Sequence, residues 1–134
     1  MKQIVLDSWL SKLMGKPAYV LKGSFDESLK KDLPKGEFFI WTKISIDDLA
    51  KLDYLKKLGF YIVDTNIQLS LNTKINETKN TNIRFANSTD EQTIKNLAKT
   101  SFKFNRFNLD PQISKKIASE IKQEWVGGFF NGKR

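Results

Sequence analysis

One segment of the sequence concentrates aromatic and cationic side chains between two predicted helices. Ser101–Pro111 contains three Phe residues together with one Arg and one Lys. Bulky rings in a connection need an apolar surface to lie on or a planar ligand to stack against. An Arg held beside them can bind a carboxylate or a phosphate through two parallel hydrogen bonds. The candidate substrate-binding residues are Phe102, Phe104, Asn105, Arg106 and Phe107.

A purely structural role for these residues stays open at the level of sequence. In that interpretation Phe102 and Phe107 fill the hydrophobic layer beneath the connection, and Arg106 braces a neighbouring loop. The two interpretations differ in whether the rings and the guanidinium remain accessible to a ligand.

The sequence contains neither His nor Cys, which limits the kinds of catalytic group and metal site that it can form. It excludes disulfides, thiolate nucleophiles, Cys/His zinc sites, Ser-His-Asp triads and histidine bases. The carboxylate pairs Asp26-Glu27 and Asp47-Asp48 precede predicted helices, where acidic side chains cap the first turn. No Gly-rich phosphate-binding sequence occurs. We therefore assign no catalytic, cofactor-binding or metal-binding residue.

Composition describes a globular protein with a basic C-terminal part. The 134 residues are 40% hydrophobic and 28% charged, with a net charge of +8. Residues 1–78 carry 12 Lys and Arg against 10 Asp and Glu, whereas residues 79–134 carry 11 against 5. No apolar run approaches the ~20 residues of a membrane span, and the first residues lack the apolar core of a signal peptide. We expect no membrane partner and a cytoplasmic location.

The elements that would position the candidate site follow two different patterns. The N-terminal part predicts a helix ending at Gly15, strands over Ala18–Lys22 and Glu37–Ile44, a helix after Ser45–Asp48, and an alternating strand over Tyr61–Leu71. After a polar stretch, the pattern predicts a short strand at Ile83–Ala86, a helix after Thr89, and a last helix from Asp110-Pro111 to Gly127-Gly128. The fold class is therefore mixed α/β, with a domain at 1–72, a linker at 73–82 and a second domain at 83–134.

Residues 83–134 resemble the opening of a GCN5-related N-acetyltransferase domain. The order is an Ile-Arg-x-Ala strand, a Thr-Asp helix start, an aromatic turn and a second helix. The string Ser-Phe…Arg-Phe…Leu-Asp-Pro-Gln-Ile…Glu-Trp…Phe-x-Gly-Lys-Arg resembles bacterial sugar-nucleotide N-acetyltransferases of the dTDP-fucosamine acetyltransferase kind. Asp7-Ser8-Trp9-Leu10 and Leu58-Gly59-Phe60…Val63-Asp64-Thr65 resemble the N-terminal part of the same group.

This resemblance implies an acyltransferase that uses acetyl-CoA and a small amine acceptor, such as a nucleotide-linked amino sugar. Two departures qualify it. Relatives often show Tyr-Ser-Arg-Phe-His where this chain has Phe104-Asn105-Arg106-Phe107-Asn108, and the Arg/Gln-x-x-Gly-x-Gly/Ala turn that binds the cofactor's pyrophosphate is missing. The chain is thus expected to be the N-terminal fragment of such an acetyltransferase, with residues 83–134 as the opening part of a truncated acetyltransferase domain. It would supply one wall of the acceptor site and bind no acetyl-CoA by itself.

An alternative from another class is a non-catalytic basic binding module for nucleic acid or a protein partner. Nucleic acid is the less favoured partner, because no sequence signature of a nucleic-acid module occurs. The helices after the linker also carry apolar stripes with a single predicted strand to cover them. We therefore expect this half to be loosely ordered, docked on the N-terminal sheet, or buried in a dimer through its hydrophobic faces. The residues of these stripes are Ile94, Leu97, Phe102, Ile113, Ile117, Ile121 and Trp125.

Overall fold

The computed structural model describes residues 3–23, 26, 28–72 and 82–132. The chain divides into two compact units, Met1–Ile62 and Val63–Arg134. Helices and strands both occur among the described residues, which confirms the predicted mixed α/β class. Most of the predicted linker at 73–82 lies outside the described residues, so the proposed domain limits stay predictions.

A three-stranded sheet organises the first unit. Its strands, in spatial order, are β1 (Ile4–Leu6), β2 (Ala18–Leu21) and β3 (Phe39–Trp41). β1 runs antiparallel to β2 with Ile4 opposite Leu21, and β3 runs parallel to β2 with Phe39 opposite Ala18. The prediction of β2 is confirmed, and β3 is shorter than the predicted strand. β1 was not predicted, because Leu6 also continues the apolar spacing of the following helix.

The described residues of this unit also form three helices, namely α1 (Ser8–Met14), α2 (Leu29–Asp32) and α3 (Leu49–Lys57). The Asp7 carboxylate caps α1 by accepting a hydrogen bond from the Leu10 amide at 3.0 Å, and Asp48 caps α3 through the Lys51 amide at 3.2 Å. The capping role predicted for Asp48 is therefore confirmed. Of the other carboxylate pair predicted to cap a helix, Glu27 lies outside the described residues.

The core of the first unit joins the sheet to α2 and α3. Leu21 from β2, Leu29 from α2 and Leu55 from α3 are buried together. Partly buried apolar side chains pack around them, and these are Ile4, Ile40, Ile44, Tyr54, Leu58 and Phe60. Burying such side chains stabilises a fold by about 1.5–3 kcal/mol each, which explains why the short helices are retained.

Helices dominate the described part of the second unit. A 3₁₀ turn (Ser88–Asp90) leads into α4 (Glu91–Ser101), followed by α5 (Arg106–Leu109) and α6 (Lys115–Phe130). Both α4 and α5 pack against α6. The buried apolar residues are Ala98, Phe107, Ile113, Ala118 and Ile121. The connection that contains the candidate site is thus held on α6 by Phe107.

The limits of α6 differ from the prediction at both ends. The helix begins after Ser114, whose hydroxyl accepts a hydrogen bond from the Ile117 amide at 3.3 Å. Asp110 instead accepts from the Gln112 amide two residues on, at 2.8 Å, so Asp110-Pro111 forms a turn. The helix continues through Gly127, which is buried, to Phe130. Packing outweighs the ~1 kcal/mol that glycine costs in a helix.

Two predicted strands do not form. Residues 61–72 and 83–86 are described, and none of them lies in a strand. Ile67, Leu69 and Leu71, the apolar side of the predicted alternation, are 79%, 88% and 80% exposed. Alternation produces a strand only where a neighbour supplies hydrogen-bond partners and an apolar surface. The described part of the chain provides no such neighbour for these segments.

The expectation of uncovered stripes on the second unit was wrong for part of its residues. Ile113, just before α6, and Ile121, on α6, are 4% and 0% exposed, so both are covered. Leu97 and Trp125 are 57% and 44% exposed. It stays a prediction that this half is loosely ordered, docked on the N-terminal sheet or buried in a dimer. That prediction now concerns the side chains that are still exposed, such as Leu97 and Trp125.

Candidate functional site

The connection between α4 and α6 is fixed by the side chain of Asn105. Its amide oxygen accepts hydrogen bonds from the backbone amides of Phe107 and Asn108, at 3.0 and 3.3 Å. Asn105 is thus the N-cap of α5, the role in which its residue type is favoured. The cap aligns the first turn of α5 and so sets the positions of Arg106 and Phe107.

The same cap ties α5 back to the end of α4. The Phe102 carbonyl accepts one hydrogen bond from the Asn105 side-chain amide and another from that of Asn108, each at 2.6 Å. Lys115 at the start of α6 donates to the Asn108 carbonyl at 2.7 Å. These bonds join the end of α4, α5 and the start of α6 into one local network.

Two cationic side chains lie against the aromatic rings of this network. The Arg106 guanidinium carbon is 4.6 Å from the centre of the Phe107 ring. The Lys122 ammonium on α6 is 4.8 Å from the ring centre of Phe102, 5.2 Å from that of Trp125 and 5.5 Å from that of Phe107. Each distance lies within the ~6 Å at which a cation is attracted to a ring face. We call these five residues the cation–aromatic cluster.

The surroundings of Lys122 in the cluster disfavour the charged form of its amine. Burial lowers the pKa of its amine, and the positive charge of Arg106 lowers that pKa further. The Arg106 charge is therefore close enough to be felt at Lys122, although both cations have the same sign. An anion at the cluster would be attracted by both side chains.

The structure brings together most of the site residues predicted from sequence. Phe102, Arg106 and Phe107 belong to the cluster, and Asn105 positions them as the cap of α5. Phe104 stands apart, because its side chain is 91% exposed. The substrate-binding role of Phe102, Phe104, Asn105, Arg106 and Phe107 stays a prediction.

The sequence pattern does not identify Lys122 and Trp125 as members of the cluster. It places Trp125 on the apolar stripe of the last helix, yet this side chain is half-exposed and lies beside Lys122. Their i, i+3 spacing on α6 places them on adjoining positions of one face. That spacing was visible in the sequence, whereas the approach of α5 to this face was not.

A second charged group lies before α4 and has a structural role. The Arg84 guanidinium donates to both carboxylate oxygens of Asp90, at 2.7 and 2.9 Å. Asp90 also accepts from the Asn87 amide at 2.9 Å, and Asn87 accepts from the Thr89 amide, which completes a capping box. The Arg84 contact, followed by the Asn87 bond, lowers the pKa of the Asp90 carboxyl. An open depression of about 390 Å³ lies beside this pair.

We next consider binding sites for a metal ion and for acetyl-CoA. No group of three or more His, Cys, Asp or Glu side chains within 3–23, 26, 28–72 and 82–132 could hold a metal ion. The turn that would bind the acetyl-CoA pyrophosphate is not among the 134 residues, so no transfer step is assigned to them. Among the described helices, none has the length and apolar character needed to cross a membrane.

Comparison of the sequence with protein-family models and with curated proteins finds no match to either.

Proposed function

We propose that this chain supplies part of the acceptor site of an acetyl-CoA-dependent N-acetyltransferase that acts on an amino-sugar nucleotide or a similar small amine. The cation–aromatic cluster is the observation that carries the proposal. It consists of two side chains able to bind phosphate or carboxylate and two half-exposed rings, Phe102 and Trp125, able to contact a sugar or a base, above the buried ring of Phe107. The family resemblance of residues 83–134 supports the same assignment.

The contribution of this chain to such a reaction is binding and orientation. Arg106 and the rings of Phe102 and Trp125 would hold the acceptor, and Asn105 would act as a positioning residue through the cap of α5. Holding an amine in line with its reaction partner replaces a bimolecular encounter with an effectively unimolecular one. No residue of this sequence is assigned to acetyl-CoA binding or to proton transfer.

Acetyl transfer to an amino-sugar nucleotide, measured in the protein at its natural length, tests this proposal. Arg106→Gln should raise the KM for the acceptor at least tenfold, because a charged hydrogen bond is worth about 1.5–3 kcal/mol. Lys116→Gln is the matched control, since it removes one positive charge from an exposed position on α6. No transfer to any amino-sugar nucleotide, or equal KM values in the two variants, would contradict the proposal.

A basic binding module remains the second candidate, and the exposure of Phe104 favours it. This ring is 91% exposed between Lys103 and Arg106, and aromatic side chains interleaved with cations bind single-stranded nucleic acid. Fluorescence anisotropy with a labelled single-stranded RNA of mixed sequence separates the candidates. Binding that Phe104→Ala weakens would favour the module. Binding absent at low salt would leave the acceptor site as the better account.

A further inference from the structure

Residues 63–71 carry a regular strand pattern, yet none of them lies in a helix or a strand. Their odd positions are apolar or β-branched and their even positions are polar: Val63, Thr65, Ile67, Leu69 and Leu71 against Asp64, Asn66, Gln68 and Ser70. Apart from Val63, every one of these residues is exposed. The segment contains neither Gly nor Pro and has a single charged residue. Exposed segments with these properties are prone to pair with another chain.

The apolar side of this segment lies in water, where it is unfavourable. Ile67, Leu69 and Leu71 are 79%, 88% and 80% exposed. As a strand the segment would be ~30 Å long, at about 3.3 Å per residue. No strand among the described residues pairs with residues 63–71. A partner strand of matching pattern would cover the apolar side chains and pair the backbone.

A second copy of the chain supplies such a strand. In a two-fold symmetric interface, each contact between residue i and residue j occurs twice. Antiparallel pairing about Ile67 sets Ile67 of one copy opposite Ile67 of the other. Thr65 then lies opposite Leu69, and Val63 lies opposite Leu71. All apolar and β-branched side chains of both copies fall on one face of the ribbon, because odd positions stay opposite odd positions.

The polar positions favour the same antiparallel register. Asp64 lies opposite Ser70, whose hydroxyl can donate to the carboxylate, and Asn66 lies opposite Gln68, where two amides can bond to each other. Parallel pairing in register would set Asp64 opposite its own copy, and like charges in direct opposition are destabilising. A shift by one residue would set apolar side chains opposite polar ones. The segment is therefore complementary to itself in the antiparallel arrangement.

We propose that residues 63–71 of two copies of this chain pair as antiparallel strands about a two-fold axis at Ile67. This interface does not involve the exposed faces of α4 and α6, and it does not depend on the proposed function. Two short strands bury less than the ~800 Å² per partner of a standard interface, so the dimer is weak. A two-stranded ribbon also needs cover on its apolar face. Ile83 and Phe85 of the same unit are 74% and 94% exposed and supply apolar surface of that kind.

Sedimentation equilibrium of the 134-residue chain measures this association, and the wild type should form dimers with a Kd below about 500 µM. Ile67→Lys and Ile67→Glu should each raise the Kd at least tenfold, because each sets two like charges opposite each other. An equal mixture of the two variants should associate at least tenfold more tightly than either alone, since Lys then faces Glu.

Gln68→Lys is the matched control for these charge variants. It adds the same charge one residue away, on the polar face of the ribbon, and should change the Kd less than threefold. Ile67 is exposed in the single chain, so its substitution should leave the fold intact. Thermal unfolding of each variant checks this.

Single cysteines test the register, because the chain has no Cys of its own. Opposed residues of antiparallel strands have Cα atoms about 4.5–5.5 Å apart, within the range that a disulfide spans. Ile67→Cys should therefore form a disulfide-linked dimer on mild oxidation. Two copies of Thr65→Cys should not link, since their cysteines would lie ~13 Å apart along the ribbon. Thr65→Cys should instead link to Leu69→Cys when the two variants are mixed.

Three results would overturn the proposal. The first is a wild-type chain that stays monomeric at about 500 µM, including one in which residues 63–71 pair within the same chain. The second is a dimer with equal Kd values in Ile67→Lys and Gln68→Lys, which would assign the association to another surface. The third is an equal rate of disulfide formation in Ile67→Cys and Thr65→Cys, which would exclude a two-fold axis at Ile67.

Discussion

Replacement of Asn105 by Ala should destabilise the second unit by about 2 kcal/mol. The substitution removes the cap of α5, in which the side-chain oxygen accepts from Phe107 and Asn108 at 3.0 and 3.3 Å. Loss of such a cap costs about 1 kcal/mol. It also removes the 2.6 Å bond from the Asn105 amide to the exposed Phe102 carbonyl, and an intramolecular hydrogen bond contributes on average about 1 kcal/mol.

A second substitution separates these two contributions. Asn105→Asp keeps the cap, because Asp and Asn are equally good N-cap residues, and loses only the donor to the Phe102 carbonyl. That carbonyl still accepts from Asn108 at 2.6 Å and is not left without a partner. The Asp variant should therefore lose less than about 1 kcal/mol, roughly half of the loss expected for Ala.

Urea unfolding followed through the NMR amide signals of α6 measures both losses. This probe reports on the second unit alone, which matters because two units can unfold in separate transitions. A loss below about 0.5 kcal/mol for Asn105→Ala, the lower limit for a cap, would refute the reasoning. Equal losses in the two variants would show that the cap contributes nothing and that the amide donor accounts for the whole effect.

Three further predictions concern the helices and their ends. Gly127→Ala should raise the free energy of unfolding by up to about 1 kcal/mol, because alanine has the higher helix propensity. The new methyl would lie 2.6 Å from Lys95 Cε and need only displace that flexible side chain. A loss of stability in urea unfolding would mean that Lys95 cannot move. The lowered pKa of Asp90 means that its contribution to stability is present near neutral pH and is lost as the pH falls below about 4. The unfolding temperature of Asp90→Asn should therefore fall less steeply with decreasing pH than that of the wild type. The same dependence on pH in both proteins would contradict this. Hydrogen exchange should be faster in α4 and α6 than in β2, because Leu97 and Trp125 leave part of the helical unit exposed; equal protection in a monomer would show that the unit is self-sufficient.

Elements fixed by short-range signals could be predicted from the sequence. Asp48 precedes α3 as a cap, and Gly59, with φ of 93°, follows the helix in the left-handed conformation that glycine favours. Both signals lie within a few residues of the helix that they delimit. Gly15, with φ of 67°, ends α1 in the same way.

Elements that depend on partners could not be predicted. The alternation over residues 61–71 is a sound strand pattern, but a strand requires a neighbour, and the sequence does not show whether one is present. The start of α6 was misplaced for another reason. Asp110 and Ser114 are both good N-cap residues, and the geometry of the preceding turn decides between them.

The residues of the candidate site also differ in whether a short-range sequence signal or a packing partner determines them. Phe102, Arg106 and Phe107 could be identified because aromatic and cationic residues crowd one short connection. Lys122 and Trp125 could not be added to them, since only the packing of α5 against α6 brings these side chains to the same rings. Periodicity places Trp125 on a face of the helix without showing what covers that face.

Binding of an amino-sugar nucleotide to the 134-residue chain tests the proposed acceptor site most directly. Calorimetry should detect the acceptor with wild-type protein and a Kd at least tenfold higher with Arg106→Gln. Acetyl-CoA, titrated in parallel, should bind no more tightly than about 100 µM, or about 5.5 kcal/mol, because the turn that would hold its pyrophosphate is not in the sequence. Failure to bind any amino-sugar nucleotide, or equal affinity in the Arg106→Gln variant, would contradict the account.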